Sequence, residues 1–368
     1  MGAPVRIGII GASWRAQYIL RIAAAAPERF EVGGMLVARE SSAESARARW
    51  GVAATTDRAA FLREGFDFVV ICVPRDVAPE LTTAAVASGL PALIETPPAD
   101  TVDGLRDLYR SLGSSAPVQV AEQYPLQPQI AAQLAVARSG LLGEVHQVRA
   151  SFAHGYHALN VIRRALGVGF EPVTVSGAVV SDPVVAVRGR DGRLDEALPV
   201  VADRTIALLE WGGRSAVYDF DGEQYVSPIR RRSLSITGSR GELETDSVAY
   251  LDQDDDPVEE TLRRHATGLD GDLDGYHLER ITLGPRTLYS NPMRGARLND
   301  DEIAVADLLL RMSEFCRGGT SFSSLADACH DHALGLLVEA SARARTSLTS
   351  EAQPWDSAQS DTRTAAAR

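Results

Sequence analysis

Lysine is absent from the sequence. All 37 basic residues are arginine, against 49 aspartates and glutamates, for a formal net charge of -12 over 368 residues. The absence removes whole classes of chemistry. No Schiff-base lysine is present for a pyridoxal cofactor or a carbonyl substrate, no lysine cradles phosphate in a Walker-type loop, and none serves as acid or base. The chain is also rich in Ala, Arg, Gly and Val, as GC-rich coding sequences are, and that bias accounts for arginine replacing lysine on a surface. Cysteine is scarce: Cys72, Cys316 and Cys329 follow no metal or redox spacing, and Cys72 lies in the apolar run FDFVVICVP as a small buried hydrophobe. This sparse, odd set and an N-terminus without a basic leader give the expectation of a reducing cytoplasm. No apolar run approaches the ~20 residues that span a bilayer, so no membrane partner is expected. A basic face for phosphate neutralisation is missing too, which excludes nucleic acid as a partner. The aspartates of Asp252 to Asp256 and the Asp/Gly-rich stretch Leu269 to Gly275 read as a solvated excursion. Neither has calcium-loop spacing with a terminal glutamate, and no metal is expected.

What is present is ordinary globular material, 45% hydrophobic and 23% charged, enough for two domains at about 150 residues each. The first third alternates β-branched runs with amphipathic stretches. Strands are expected at Val5 to Ile10, Phe30 to Val37, Phe66 to Val73, Pro91 to Glu95 and Pro117 to Glu122. Helices are expected between them, over Trp14 to Ala26, Ser41 to Gly51, Pro79 to Gly89 and Asp103 to Gly113. That rhythm implies right-handed crossovers and a doubly wound parallel sheet. After a helix at Gln129 to Ser139 the pattern changes to successive strands: Val145 to Ala153, Val173 to Val180, Arg204 to Trp211, Arg214 to Asp221 and Arg232 to Ser239. Gly212-Gly213 marks a hairpin. Helices at Asp300 to Arg317 and Ser324 to Arg345 close the fold, and the polar tail beyond Trp355 is expected to be disordered. The fold class is thus α/β, a Rossmann sheet followed by a second α/β domain. The expected boundaries are 1-125, 126-350 and a tail at 351-368.

The nucleotide signal is GIIGASWRA, Gly8 to Ala16, where the first strand turns into the first helix and a pyrophosphate meets a helix N-terminus. Read from Gly11, Ser13 and Ala16 take the second and third glycine positions. Ala16 satisfies the demand for close helix–strand packing, and Ser13 can still approach phosphate. Cofactor-binding candidates are Gly8, Gly11, Ser13, Trp14 and Arg15, with Pro74 after the third strand. The second strand ends in LVARESS, without the acidic residue that selects NAD. Arg39 and Ser41 suit a 2′-phosphate, which favours NADP over NAD; alternatively Ser41 or Ser42 caps the following helix.

These motifs, with IETPPA (Ile94 to Ala99), SGLLGEV (Ser139 to Val145), HGYHALNVIRRALG (His154 to Gly167) and ITGSRGELE (Ile236 to Glu244), make the chain resemble the Gfo/Idh/MocA family of nicotinamide-dependent oxidoreductases over nearly its whole length. The resemblance implies an N-terminal Rossmann domain and a C-terminal domain with an open, largely antiparallel sheet that often mediates oligomers, so a homo-oligomer, dimer or tetramer, is expected. It also exposes departures. Where the family has Glu-Lys-Pro, Glu95 and Pro97 match but the lysine position is Thr96. Where it has Asp-x-Gly-x-His-x-x-Asp, Gly155 and His157 match, while the aspartate positions are Ala153 and Asn160.

His157 is therefore the expected proton relay, since an imidazole titrates near neutral pH. His154 and Tyr156 flank it, and Thr96 can hydrogen-bond a substrate oxygen without titrating. Glu95 and Pro97 are expected to shape the turn under the nicotinamide, through a cis-proline. Glu122, Gln123 and Tyr124, at the carboxyl end of a strand, are candidate substrate contacts together with Asn160. Arg163 and Arg164 read as a solvated or ion-paired face, and Arg230 to Arg232 as a solvated strand edge. The expected function is NAD(P)-dependent hydride transfer with a small polar substrate, sugar-like or cyclic. Two alternatives stay open. One is an NADPH-dependent imine reductase, because thiazolinyl imine reductases also lack the Glu-Lys-Pro lysine. The other is a nucleotide-binding pseudoenzyme or sensor.

Overall fold

A computed structural model describes residues 3–189, 192–268, 271, 273 and 275–364. The chain divides into two compact units. The first comprises residues 1–128, 264–280 and 290–329, and the second 129–263, 281–289 and 330–368.

The first unit is built on six parallel strands: β1 (Val5–Ile10), β2 (Phe30–Leu36), β3 (Ala54–Thr55), β4 (Phe68–Ile71), β5 (Ala92–Ile94) and β6 (Val118–Val120). Their order is β3-β2-β1-β4-β5-β6, so the winding reverses between β1 and β4 and opens a crevice at the carboxyl ends of those strands. The crossovers are α1 (Trp14–Ala25), α2 (Glu40–Trp50), α3 (Arg58–Phe61), α4 (Ala78–Ala87) and α5 (Val102–Leu112). The sheet expected from the sequence is present. The short β3 and α3 were not foreseen, because two and four residues carry no periodicity. One face of β1 and β4 (Ile7, Ile9, Phe68, Val70) is buried against Ile19 and Ile22 of α1 and against Leu308, Leu309 and Met312 of α8 (Asp300–Cys316). Each such side chain contributes about 1.5–3 kcal/mol on burial. Asn299 starts α8 with a capping box, accepting from Glu302 N–H while the Glu302 carboxylate accepts from its own N–H.

After α6 (Pro128–Arg138) the second sheet begins at β7 (Val145–Ser151), followed by α7 (Gly155–Leu166). The sheet continues with β8 (Thr174–Gly189), β9 (Gly192–Trp211), β10 (Arg214–Asp221), β11 (Ser233–Gly238), β12 (Gly241–Glu244), β13 (Ser247–Leu251), β14 (Pro257–Ala266), β15 (Leu278–Leu283) and β16 (Arg286–Ser290). After α9 (Leu325–Ala344) come β17 (Leu348–Thr349) and α10 (Asp361–Thr364). The order is β16-β15-β14-β13-β12-β11-β7-β10-β9-β8-β17. β7 and β10 run parallel, while β10–β9, β9–β8, β7–β11 and β11 through β14 are antiparallel pairs. Gly212 and Gly213 make the expected hairpin with φ of 45° and 105°.

Three expectations are corrected. The strands around Val173 to Val180 and Arg204 to Trp211 run on, to Gly189 and back to Gly192, because apolar residues continue along both arms. Asp252 to Asp256 is a tight turn between paired strands rather than an excursion: Asp252 Oδ1 accepts from the N–H groups of Asp254 (2.9 Å) and Asp256 (3.0 Å). Of the stretch Leu269 to Gly275, residues 269, 270, 272 and 274 lie outside the described residues. Through residue 364 the expected disorder beyond Trp355 does not hold. Trp355 is fully buried and Ser360 and Thr362 are buried too, because the segment has polar partners waiting in its own unit. No helix among the described residues is long and apolar enough to cross a membrane.

Candidate active site

In the first unit the crevice begins where β1 ends. Gly11 has φ +115°, and a Cβ there would stand 2.3 Å from the Cys72 carbonyl oxygen, so both conformation and space demand glycine. Gly8 lies inside β1, where the absent side chain admits the Phe66 ring, 2.7 Å from where its Cβ would be. Ser13 is the extended N-cap of α1, its hydroxyl makes no capping bond, and no acidic residue occupies the first turn. The free N–H groups and positive end of this helix suit a phosphate anion. Trp14 is exposed beside them. A dinucleotide fits the uncapped N-terminus of α1, to which the glycine-only turn at Gly11, closed by the Cys72 carbonyl, leads.

At the end of β2 the structure moves the helix cap. Arg39 itself, with φ -135°, is the N-cap of α2, and Ser41 and Ser42 lie in its first turn, since the Arg39 carbonyl accepts from Ser42 and Ala43 N–H. Arg39 is exposed and has no ion pair among the described residues. The neighbouring Glu40 carboxylate is taken by Arg47. A cavity of about 220 Å³ between α1 and α2 is lined by Ala12, Gln17, Ser41, Ser42, Ser45 and Arg49. Pro74 is exposed after β4, and its carbonyl accepts from Val77 and Ala78 N–H at 3.0 and 3.1 Å.

The ends of β5 and β6 carry the remaining candidates of this unit. Glu95, Thr96 and Pro97 leave β5, with a cis peptide between Thr96 and Pro97 as expected. Arg15 Nε donates to Glu95 Oε2 at 3.3 Å. Gln123, oriented so that its amide donates to the Ala121 carbonyl at 3.1 Å, accepts from Arg15 Nη2 at 3.1 Å. Burial opposes the Arg15 charge, but Glu95 and Asp301 more than offset it, and its pKa lies above the usual arginine value. Burial pushes the Cys72 thiol well up, which keeps it neutral. Glu122, Gln123 and Tyr124 are all buried; Glu122 Oε1 accepts from Tyr124 N–H at 3.0 Å and so fixes the turn that follows β6.

In the second unit α7 begins at the other motif. His154 is its N-cap, and two tyrosine hydroxyls replace the usual capping side chain. Tyr225 accepts from His154 N–H at 3.0 Å, and Tyr218 accepts from Gly155 N–H at 2.9 Å. The Tyr225 hydroxyl also lies 2.6 Å from His154 Nδ1. Burial raises the Tyr218 hydroxyl far above its ordinary range, so it stays protonated. His157 is buried, with ring centroids of His154 and Tyr156 at 4.9 and 4.4 Å, and His332 of α9 lies 5.4 Å from Tyr156.

One turn further on, Asn160 is 1% exposed; its amide donates to Asp331 Oδ2 at 2.6 Å, and its oxygen accepts from Arg164 Nε at 2.8 Å. Of the two expectations for Arg163, the ion pair is present and the solvated face is not. Arg163 is fully buried, donating to Asp331 Oδ1 at 2.5 Å, to the Gly169 carbonyl from Nε and Nη2, and to Ser360 Oγ at 3.2 Å. Arg230 to Arg232 precede β11 rather than edging it; Arg231 and Arg232 are exposed as expected, and Arg232 donates to the carbonyls of Gln224 and Tyr225. Sequence reasoning missed Tyr218, Tyr225, Asp331 and His332. Only Tyr218 left a signal, in the inward alternation of Ala216, Tyr218 and Phe220 along β10.

Residues 5–121 match the sequence profile of the Gfo/Idh/MocA family, described as an oxidoreductase family with an NAD-binding Rossmann fold. No curated protein matches the sequence. Among solved structures, an oxidoreductase domain protein from Kribbella flavida is 17% identical with a TM-score of 0.68, over 95% of this chain and 100% of that one. Levoglucosan dehydrogenase in complex with NADH and levoglucosan is 16% identical with a TM-score of 0.67, over 94% and 99%. An oxidoreductase from Agrobacterium radiobacter in complex with NAD+, L-tartaric acid and magnesium is 19% identical with a TM-score of 0.66, over 94% and 98%. At these identities the likeness is one of fold.

Proposed function

We propose that this chain, a member of the Gfo/Idh/MocA oxidoreductase family through its residues 5–121, transfers a hydride between a nicotinamide cofactor and a small polar substrate of the sugar or cyclic-polyol type, with His157 relaying the proton. The observation that carries the reading is the turn at Gly11, where only glycine fits against the Cys72 carbonyl beyond β4 and from which the chain enters the uncapped N-terminus of α1 at the switch point of the sheet. Bound NAD(P) supplies the hydride acceptor or donor. The chain's own residues bind, orient and move the proton. Gly11, Ser13 and the first turn of α1 hold the pyrophosphate. Arg39 and Ser41 take the 2′-phosphate of NADP, a reading supported by the unpaired, exposed Arg39 and by a Glu40 carboxylate already engaged with Arg47. Glu95 and Pro97 form the floor under the nicotinamide. Thr96, Gln123 and Tyr124 line the substrate side, and Glu122 fixes their turn.

His157 exchanges the substrate proton, with His154 and Tyr156 packed around it. Asn160 holds α7 through Asp331 rather than touching substrate. The substrate class draws on the levoglucosan and L-tartaric acid held by proteins of like fold. A homo-oligomer is supported by the β8–β9 hairpin, which leaves Val185, Leu198 and Val201 49%, 50% and 71% exposed; light scattering distinguishes monomer from dimer or tetramer.

The test begins with NADH and NADPH fluorescence titrations, then turnover on sugars, cyclic polyols and cyclic imines. NADPH binds more tightly than NADH, and Gly11→Ala weakens both at least about tenfold. His157→Asn lowers kcat by about 10²–10⁴ while nucleotide affinity holds. Undiminished turnover in His157→Asn removes the relay. Nucleotide binding without turnover on any panel leaves a sensor, and turnover on imines alone leaves an imine reductase.

A further inference from the structure

Segments leave the sheet toward the crevice of the first unit from β1, β4, β5 and β6; Arg75 after β4 is half exposed and pairs with Asp100, while Arg15, at the start of α1, is drawn out of solvent. Its guanidinium is held from two sides, by Glu95 beyond β5 and by Gln123 beyond β6. The third nitrogen, Nη1, is buried and has no hydrogen-bond partner. A buried donor left unmade is costly. Two edges are engaged, the Trp14 and Tyr18 rings lie 5.1 and 5.6 Å from the guanidinium carbon, and the third nitrogen, covered by its neighbours, keeps a donor unused by the protein. Which ligand follows from direction and charge. A dinucleotide lies across the carboxyl ends of the strands, with its ribose 2′ end at β2. The fork of Arg15 points the opposite way, to the β5–β6 side, where the reacting half of the ligands belongs. On that side Glu95 and Glu122 outnumber Arg15, so the site disfavours a second anion.

We propose that Arg15 is a substrate-binding residue whose Nη1 donates to a neutral oxygen, a hydroxyl or carbonyl, of a sugar or cyclic polyol. The inference rests on the oxidoreductase reading above and gives its substrate half a specificity-determining cation. Because a guanidinium does not exchange protons at working pH, Arg15 binds and orients the oxygen while the proton goes elsewhere.

Calorimetry with wild type, Arg15→Met and Arg15→Lys tests this, using levoglucosan, myo-inositol and L-tartrate as probes, with and without saturating NADPH. Wild type is expected to bind a neutral probe more tightly than L-tartrate. Arg15→Met weakens that binding at least about tenfold and weakens NADPH binding by a clearly smaller factor, and Arg15→Lys lies between wild type and Arg15→Met. Equal loss of NADPH affinity, with the KM for the neutral probe unchanged at saturating cofactor, overturns the proposal and assigns the fork to the pyrophosphate. Preference for L-tartrate, binding of no neutral probe, or neutral binding unchanged in both variants overturns it as well. Should Arg15→Met not fold, Arg15→Lys, which keeps a charge beside Glu95, carries the same comparison. If wild type binds no nucleotide, the oxidoreductase reading fails on its own. Probe binding to the nucleotide-free protein then still decides Arg15, since loss in the variants supports it and no loss overturns it.

Discussion

Arg15 and Arg163 are both drawn out of solvent, yet their surroundings differ in one respect. Every nitrogen of Arg163 is used: Asp331 takes one edge, the Gly169 carbonyl and Ser360 take the others, and the guanidinium stacks 5.3 Å from the Phe170 ring centroid. Arg15 is stacked as well, 5.1 and 5.6 Å from the Trp14 and Tyr18 ring centroids, and has Glu95 and Gln123, but leaves Nη1 unmade. A completed shell holds structure together, and an incomplete one is held open for a ligand. The comparison predicts that the two residues respond oppositely to substitution. Arg163 matters most to stability, and Arg15 to binding.

The largest effect is expected at Arg163. Replacing it by Met leaves Asp331 buried without its counter-charge and lowers stability by about 3–5 kcal/mol. Thermal denaturation reads this as a fall of roughly 2–4 °C for each kcal/mol. A loss under about 1 kcal/mol would break the distinction. Trp355→Ala comes next, at about 3 kcal/mol. Trp355 is fully buried, donating from Nε1 to His330 Nδ1 at 3.3 Å, but the segment it anchors can detach as one piece, which limits the cost. Arg15→Met is expected to cost about 1–3 kcal/mol in stability, less than Arg163→Met, while losing far more in substrate binding. A melting temperature lowered as much as by Arg163→Met would merge the two cases.

How much of this was legible in the sequence follows the same division. The Rossmann sheet, the Gly11 turn, the Gly212-Gly213 hairpin and the two closing helices rest on local rules of period and turn chemistry, and they are where the sequence put them. The Arg163 shell could not be seen, because Asp331 is 168 residues away and Ser360 197, and no local pattern links them. Without those partners in view, Arg163 reads as surface and the segment beyond Trp355 as tail. Arg15 was legible as part of the nucleotide loop, but not in the direction of its fork, since Glu95 lies 80 residues on. Ser41 and Ser42 were read as caps from residue type alone, while the backbone places the cap at Arg39.

The smallest effect tests the Arg163 shell through pH. His330 packs on the Phe170 ring, at 5.0 Å between centroids, and its pKa is held well below the ordinary 6.5, first by burial and then by the Arg163 charge. The unfolded chain takes up the proton at the ordinary value, and the folded chain resists it. Between the two values the unfolded state binds more protons, so unfolding free energy rises with pH across that window. Stability from this group is complete above about 6.5 and is lost as pH falls below it. Asp356, 3.9 Å away, acts in the opposite sense: burial raises its carboxyl above 3.8, which favours the folded state as acid is added and cannot produce the trend. His330→Gln keeps an acceptor for the Trp355 indole N–H and removes the titration. Melting temperatures from about pH 7.5 to about pH 5.5 are expected to fall less in this variant than in wild type. Parallel curves would mean that His330 reaches solvent often enough to protonate in place. The shell around Arg163 would then be looser than its hydrogen bonds imply, and the contrast with Arg15 weaker.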